Sequence, residues 1–391
     1  MAIATNTKVK QGLTADEVFQ EFSWRQKNRH QYAQDWKKRT GSKMLGYFCT
    51  YVPEEIVYAA GVLPVRILGG HEPEDVSAKH IYSMYCPFCR DVLAQGLKGK
   101  YNYLDGVTIA QSCLHIRQAF FSWKLHLPIS FAYYLYHPMK VQSPRAVPYL
   151  AGELARFKKA VEEWVGKEVT DEALDKAIGV YNDNRRLLTQ MYETRKADTP
   201  PFSGVEAMEM VLASQLTDKV EVNDLLRQAL AGLPHRTNRP KPGVRLMIVG
   251  SEDDDTEFIS MVESLDSNIV IDEHCTGTRY FWTEVSPQPD RLMALAKRYV
   301  ERVPCPSKDW EKRNRADHVL RLAKEYKVQA ALLTQQKFCD PHECDIPALK
   351  EMLEANGIPC LFLEFDITTP AGQFRTRVEA FLETIREGEL F

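Results

Sequence analysis

Apolar residues recur along this chain in two textures, short continuous runs and longer stretches spaced at helical period. The runs MLGYFCTY (44–51), LPVRILGG (63–70), VTIAQSC (107–113) and ISFAYYLY (129–136) read as strands. Between the first two, Pro53-Glu54-Glu55-Ile56 opens a helix, with a proline at its start and acids in its first turn, and Gly61 ends it. A strand–helix–strand unit this compact predicts a parallel pair with a right-handed crossover. A helix carrying Cys86 and Cys89 should run to Lys98, Asp105-Gly106 should turn, and residues 114–126 should be helical. Residues 44–150 therefore read as one α/β domain.

On either side the texture is helical. Residues 14–40 predict one amphipathic, charged helix capped by Thr14, within an N-terminal helical arm over 1–43. From 151 to 237, acids come early and bases late in each periodic stretch, with Thr170-Asp171 as a cap, which predicts a helical connector. The segment NRPKPG (238–243) reads as a linker. After it, VRLMIVGS (244–251), NIVIDEHC (268–275), VQAALLTQQKFC (328–339) and IPCLFLEFD (358–366) predict four more strands with helices between them. The expected architecture is α/β: two doubly wound, mostly parallel domains, 44–150 and 238–391, joined by the helical segment and preceded by the arm.

Composition narrows the classes of function. A net charge of −3 with interspersed signs argues against nucleic acid as a partner. No window approaches a membrane-spanning length, and the first residues lack the apolar core of a secretory signal, so a cytoplasmic location is expected. In that compartment nine cysteines point to thiol chemistry or metal ligation rather than structural disulfides, with some, such as Cys305 and Cys360, serving as small buried hydrophobes. There is no GxxxxGK[ST] and no GxGxxG after a strand, so ATP or a nicotinamide would have to come from another polypeptide.

Three cysteines stand where parallel sheets bind ligands: Cys113 and Cys339 past the carboxyl ends of strands, and Cys86 at a helix start. Helix N-termini favour thiolates and the negative charge of a metal–sulfur cluster. Three thiolates on a four-iron cluster would leave one iron open. Cys86-x-x-Cys89 also fits a redox dithiol or half of a zinc site, for which Cys339 and Cys344 are weak partners, so a non-catalytic zinc scaffold stays open as an alternative. The stretch from Asp272 to Phe281 suits a pocket wall or a turn. Glu55 suits a proton donor or acceptor or a helix-dipole carboxylate. His71, His80, His115 and His342 lack ligand spacing and read as surface or hydrogen-bonded histidines.

FCTYVPEEIVYAAGVLPVRILGG (48–70), YCPFCRD (85–91), LDGVTIAQSC (104–113), CTGTRYFWTEV (275–285) and QKFCDPHECDIPALKEMLEANGIPCLFLEFD (336–366) resemble, in order, the benzoyl-CoA reductase and 2-hydroxyacyl-CoA dehydratase family. The resemblance implies a heterodimer of two related subunits, with [4Fe-4S] clusters on three cysteines each, an acyl-CoA substrate, and a separate ATP-hydrolysing iron–sulfur activase. Carried across by motif, the ligands are Cys86, Cys113 and Cys339. Cys89 and Cys344 are spare, and Glu55 is a candidate proton relay. Leu114 stands where the family often has an aspartate. Size and motif order are most like the smaller non-activase subunit of the ATP-dependent reductase, which implies two-electron dearomatisation of benzoyl-CoA to a cyclic dienoyl-CoA. The alternatives within the family are a 2-hydroxyacyl-CoA dehydratase subunit and a homodimer carrying a fused double-cubane cluster across its interface.

Overall fold

The structure, a computed structural model, describes residues 12–72 and 76–388. Helices α1 (Ala15–Lys27) and α2 (Arg29–Thr40) form the arm. The single helix expected over 14–40 is broken at Asn28, whose φ of −105° and ψ of 29° leave helical geometry. Thr14 does cap α1, in a reciprocal box with Glu17. Val18, Phe19 and Phe22 of α1 are buried in the core formed with the connector helices.

The first sheet contains β1 (Met44–Tyr47), β2 (Leu63–Arg66), β3 (Gly106–Ala110) and β4 (Phe131–Leu135) in the order β2-β1-β3-β4. All its pairings are parallel, with Met44 opposite Leu63 and Val107 opposite Ala132. Helices α3 (Glu54–Ala59), α4 (Pro87–Leu97) and α5 (Leu114–His126) connect these strands. Next come α6 (Ala146–Val165), α7 (Asp171–Glu193), α8 (Gly204–Leu216) and α9 (Lys219–Gly232), the helical stretch expected between the sheets.

The second sheet repeats the first in topology. It contains β5 (Val244–Gly250), β6 (Ser267–Glu273), β7 (Ala330–Gln336) and β8 (Cys360–Phe365), all parallel, in the order β6-β5-β7-β8. Helix α10 (Thr256–Glu263) joins β5 to β6, and α11 (Arg291–Glu301) and α12 (Asn314–Glu325) lie between β6 and β7. Helix α13 (Asp340–Ala355) leads to β8, and α14 (Ala371–Gly388) follows it. Strands β1, β2, β3, β5, β6 and β7 are buried along their whole length. Parallel strands covered by helices on both faces read as continuous apolar runs, which is why they were legible without alternation. No helix among the described residues is long and apolar enough to cross a membrane.

Each sheet reverses its winding at its two central strands, β1 and β3 in one, β5 and β7 in the other. Chain leaving the carboxyl ends at such a point diverges to opposite faces and opens a crevice. Here the two crevices face one another. Arg66 at the end of β2 donates to Glu252 beyond β5 (2.8 Å), and Arg90 of α4 donates to Asp366 beyond β8 (2.9 Å). Arg302, beyond α11, donates to the Thr50 carbonyl (2.6 Å).

Candidate functional site

A cavity of about 80 Å³ lies where the two crevices meet, and seven of the nine cysteines line it. Cys49 follows β1, Cys113 follows β3, Cys275 follows β6 and Cys339 follows β7; Cys86 and Cys89 come from α4, and Cys305 from the loop after α11. The three cysteines expected to act together, Cys86, Cys113 and Cys339, share this cavity. Cys344 is exposed, and neither it nor Cys360 is in the wall.

The local sequence explains the placement of the three. Cys86 is the N-terminal cap of α4, with Pro87 fixing the first helical position. Cys113 caps α5, its Sγ accepting the Ile116 amide at 3.5 Å. Cys339 caps α13, after Phe338 turns the chain at φ 60°, a left-handed conformation rarely taken by a bulky side chain. Each sulfur therefore sits at the positive end of a helix. Leu114, in the place of the family's aspartate, is 49 % exposed, so no side-chain acceptor stands beside Cys113 at that position.

Cys86 and Cys89 lie with their sulfurs 3.3 Å apart, and this hydrogen bond, helped by His115, draws the Cys86 thiol below its ordinary value against the cost of burial. Burial pushes Cys113 and Cys339 up, and the neighbouring sulfurs add to the rise. His115 Nδ1 accepts the Cys86 amide at 3.0 Å, and His342 Nδ1 lies 3.3 Å from Cys339 Sγ. Two of the histidines read from sequence as surface or hydrogen-bonded groups are thus hydrogen-bonded to the cysteine segments.

The wall also holds cations. Arg279 donates through Nε and Nη2 to Glu273 (2.7 and 2.9 Å) and through Nη1 to Cys275 Sγ (3.4 Å). Arg66 is buried in the wall, with Nε and Nη1 unpartnered. Seven sulfurs, three helix N-termini and two buried guanidiniums, one of them short of acceptors, fit an anionic thiolate-bound metal group. Among the described residues, no three His, Cys, Asp or Glu side chains close on a point where a single metal ion would sit.

Glu55 lies apart from this cavity. Fully buried on α3, it pairs with Arg185 of α7 and accepts from Tyr299 of α11 at 2.9 Å. Burial raises its carboxyl, but Arg185 and Arg298 more than reverse this and hold it below the ordinary value. Of the other wall cysteines, Cys49 was not singled out in the sequence, Cys275 came only within the Asp272–Phe281 stretch, and Cys305 was read as a buried hydrophobe. Position was the available signal for two of them: Cys49 and Cys275 each lie within two residues of a strand's carboxyl end. The Asp272–Phe281 stretch does supply Cys275 and Arg279 to the wall.

Several known proteins are similar to this chain over most of its length. The (R)-phenyllactyl-CoA dehydratase beta subunit of Clostridium sporogenes is 26% identical over 95% of this chain and 99% of its own length. One of the benzoyl-CoA reductase subunits of Thauera aromatica is 26% identical, covering 90% of this chain and 94% of its own. The (R)-2-hydroxyglutaryl-CoA dehydratase subunit beta of Acidaminococcus fermentans is 28% identical over 89% and 94% respectively. The family model described as 2-hydroxyglutaryl-CoA dehydratase, D-component, matches residues 49–385, from the first wall cysteine into the last helix, and this chain belongs to that family.

Proposed function

We propose that this chain is the iron–sulfur subunit of an acyl-CoA reductase complex, and that the cavity between its sheets seats the cluster. The observation that carries this is the convergence of Cys86, Cys113 and Cys339, each capping a helix, on one wall. They would hold a [4Fe-4S] cluster, which supplies low-potential electrons and one iron free of protein thiolate. The chain's own residues do the rest. Helix N-termini, Arg66 and Arg279 offset negative charge, while Phe48, Phe88, Ile116 and Pro341 keep the cavity dry. Dry walls suit dearomatisation of benzoyl-CoA, where water would divert electrons. The partners are a second, related subunit, an ATP-hydrolysing activase and the acyl-CoA itself.

Relatives named for benzoyl-CoA reduction and for 2-hydroxyacyl-CoA dehydration are about equally similar to this chain. Supplying benzoyl-CoA and a 2-hydroxyacyl-CoA separately to the anaerobically reconstituted complex tests the choice. Turnover of the aromatic thioester supports the reductase, and turnover of the hydroxyacyl thioester alone replaces it with the dehydratase.

A specific observation favours a second reading. Cys49, Cys275 and Cys305 put a further trio of sulfurs on the same cavity, which a single three-thiolate cluster leaves unused. Two cubanes held by three cysteines each would use six. In this reading the chain is a double-cubane reductase, and six cysteines of one chain serve one cavity, rather than the cluster lying across a homodimer interface as the sequence led one to expect. Anaerobic iron analysis separates the readings, at about four against about eight iron atoms per chain.

A further inference from the structure

Arg66 closes β2, and its guanidinium stands in the wall of the sulfur-lined cavity, 1 % exposed. Nη2 donates to Glu252 Oε1 at 2.8 Å. Nε and Nη1 have no acceptor, and no other arginine among the described residues has two nitrogens in this state. Arg279, in the same wall, has an acceptor for all three of its nitrogens. A buried donor left unsatisfied is costly, and more so when it is charged. Two such donors on one cation persist where something in the space they adjoin takes the bonds. Tyr47 covers one side of the guanidinium, 5.8 Å from its ring centre, and offers a π-face rather than a lone pair.

We infer that Arg66 is a positioning residue for an anionic metal–sulfur group in this cavity, offering it positive charge and the N–H donors that its bond to Glu252 through Nη2 leaves free. The inference rests on the cluster reading and deepens it. Hydrogen bonds to cluster sulfurs and nearby positive charge favour the reduced, more negative state and raise the reduction potential. Glu252 also lines the cavity, and its charge acts in the opposite sense. The pair therefore makes an electrostatic setting with two opposed contributions.

The test is an anaerobic redox titration followed by electron paramagnetic resonance, on wild type, Arg66→Met, Arg66→Lys and Glu252→Gln samples matched for iron per chain. At a fixed potential, Arg66→Met is expected to lower the reduced-to-oxidised ratio about tenfold, about 59 mV for a one-electron couple. Arg66→Lys, which keeps the charge but loses the planar fork, should lower it less. Glu252→Gln should raise it. Coincident titrations at full iron content overturn the inference, as does a shift of the same sign in Arg66→Met and Glu252→Gln, which a general packing disturbance would give. Should Arg66→Met fail to fold, the opposed shifts of Arg66→Lys and Glu252→Gln decide the matter by the same rule. A wild-type chain that takes up no iron overturns the cluster reading and this inference with it, a result distinct from full iron with coincident titrations.

Discussion

Replacing Glu55 with glutamine removes one charge and almost no volume from a site where three helices meet. Glu55 of α3 pairs with Arg185 of α7, and Tyr299 of α11 donates to its other oxygen at 2.9 Å. The carboxylate is fully buried, and Arg185 is 3 % exposed. Glutamine can still accept from one neighbour, but its amide hydrogens oppose the guanidinium and leave a buried positive charge without its counter-ion. Arg185 keeps its bond to Asn182 at 3.0 Å, which compensates only in part. Removing one partner of a buried pair costs about 3–5 kcal/mol. At roughly 2–4 °C per kcal/mol for domains of 150–250 residues, apparent Tm should drop by roughly 6–20 °C at a fixed scan rate. The pH dependence has a definite sign. Because the folded-state carboxyl lies below its ordinary 4.5, the pair's contribution is present above that value and is lost as pH falls through the folded one. The gap between wild type and Glu55→Gln should stay constant from pH 5 upward and close on acidification. If Glu55→Gln keeps the wild-type Tm while turnover collapses, Glu55 is a proton relay and the structural reasoning fails.

Further outcomes follow from other contacts. Cys89→Ala and Cys344→Ala should keep the brown chromophore of an anaerobic preparation, while Cys86→Ala, Cys113→Ala and Cys339→Ala lose it; bleaching in Cys89→Ala alone would move the ligand assignment to that sulfur. Asp254, 2.8 Å from His71 Nε2, is the main influence holding the imidazolium up to about 10. That contribution is complete below the ordinary 6.5 and lost as pH rises through about 10, so the Tm deficit of His71→Gln should be largest at pH 6 and vanish above pH 10. A Cβ at Gly250 would overlap the Thr334 carbonyl across the β5–β7 ladder, so Gly250→Ala should cost about 1–3 kcal/mol or more in urea denaturation. At Gly372 a Cβ meets nothing within 4 Å, and Gly372→Ala serves as the neutral control.

Much of this architecture was legible along the chain because the physics is local. Eight apolar runs became eight strands; six of them are buried along their whole length and need no alternation to be seen, while β4 and β8 are only partly buried. Cys113 and Cys339 were found by the rule that ligands gather beyond strand carboxyl ends, and Cys86 by its proline-led helix start. The break at Asn28 was not legible, because apolar spacing continues across it and only the packing of α1 on α8 and α9 requires the turn. Cys305 was read as a possible buried hydrophobe, because nothing in its loop shows that α11 delivers it to the same cavity as Cys275. Glu55 shows the same limit. Its position in a first helical turn is local, whereas Arg185 and Tyr299 arrive from 130 and 244 residues away and determine its environment.

The most direct measurement is iron and acid-labile sulfide per chain in anaerobically reconstituted protein, for wild type and for a triple variant carrying Cys86→Ala, Cys113→Ala and Cys339→Ala. Wild type should hold at least about four of each, and the folded triple variant should lose about four or more. A wild-type chain that is colourless or carries zinc instead, or a triple variant that keeps its full iron, would contradict a cluster seated on these three sulfurs.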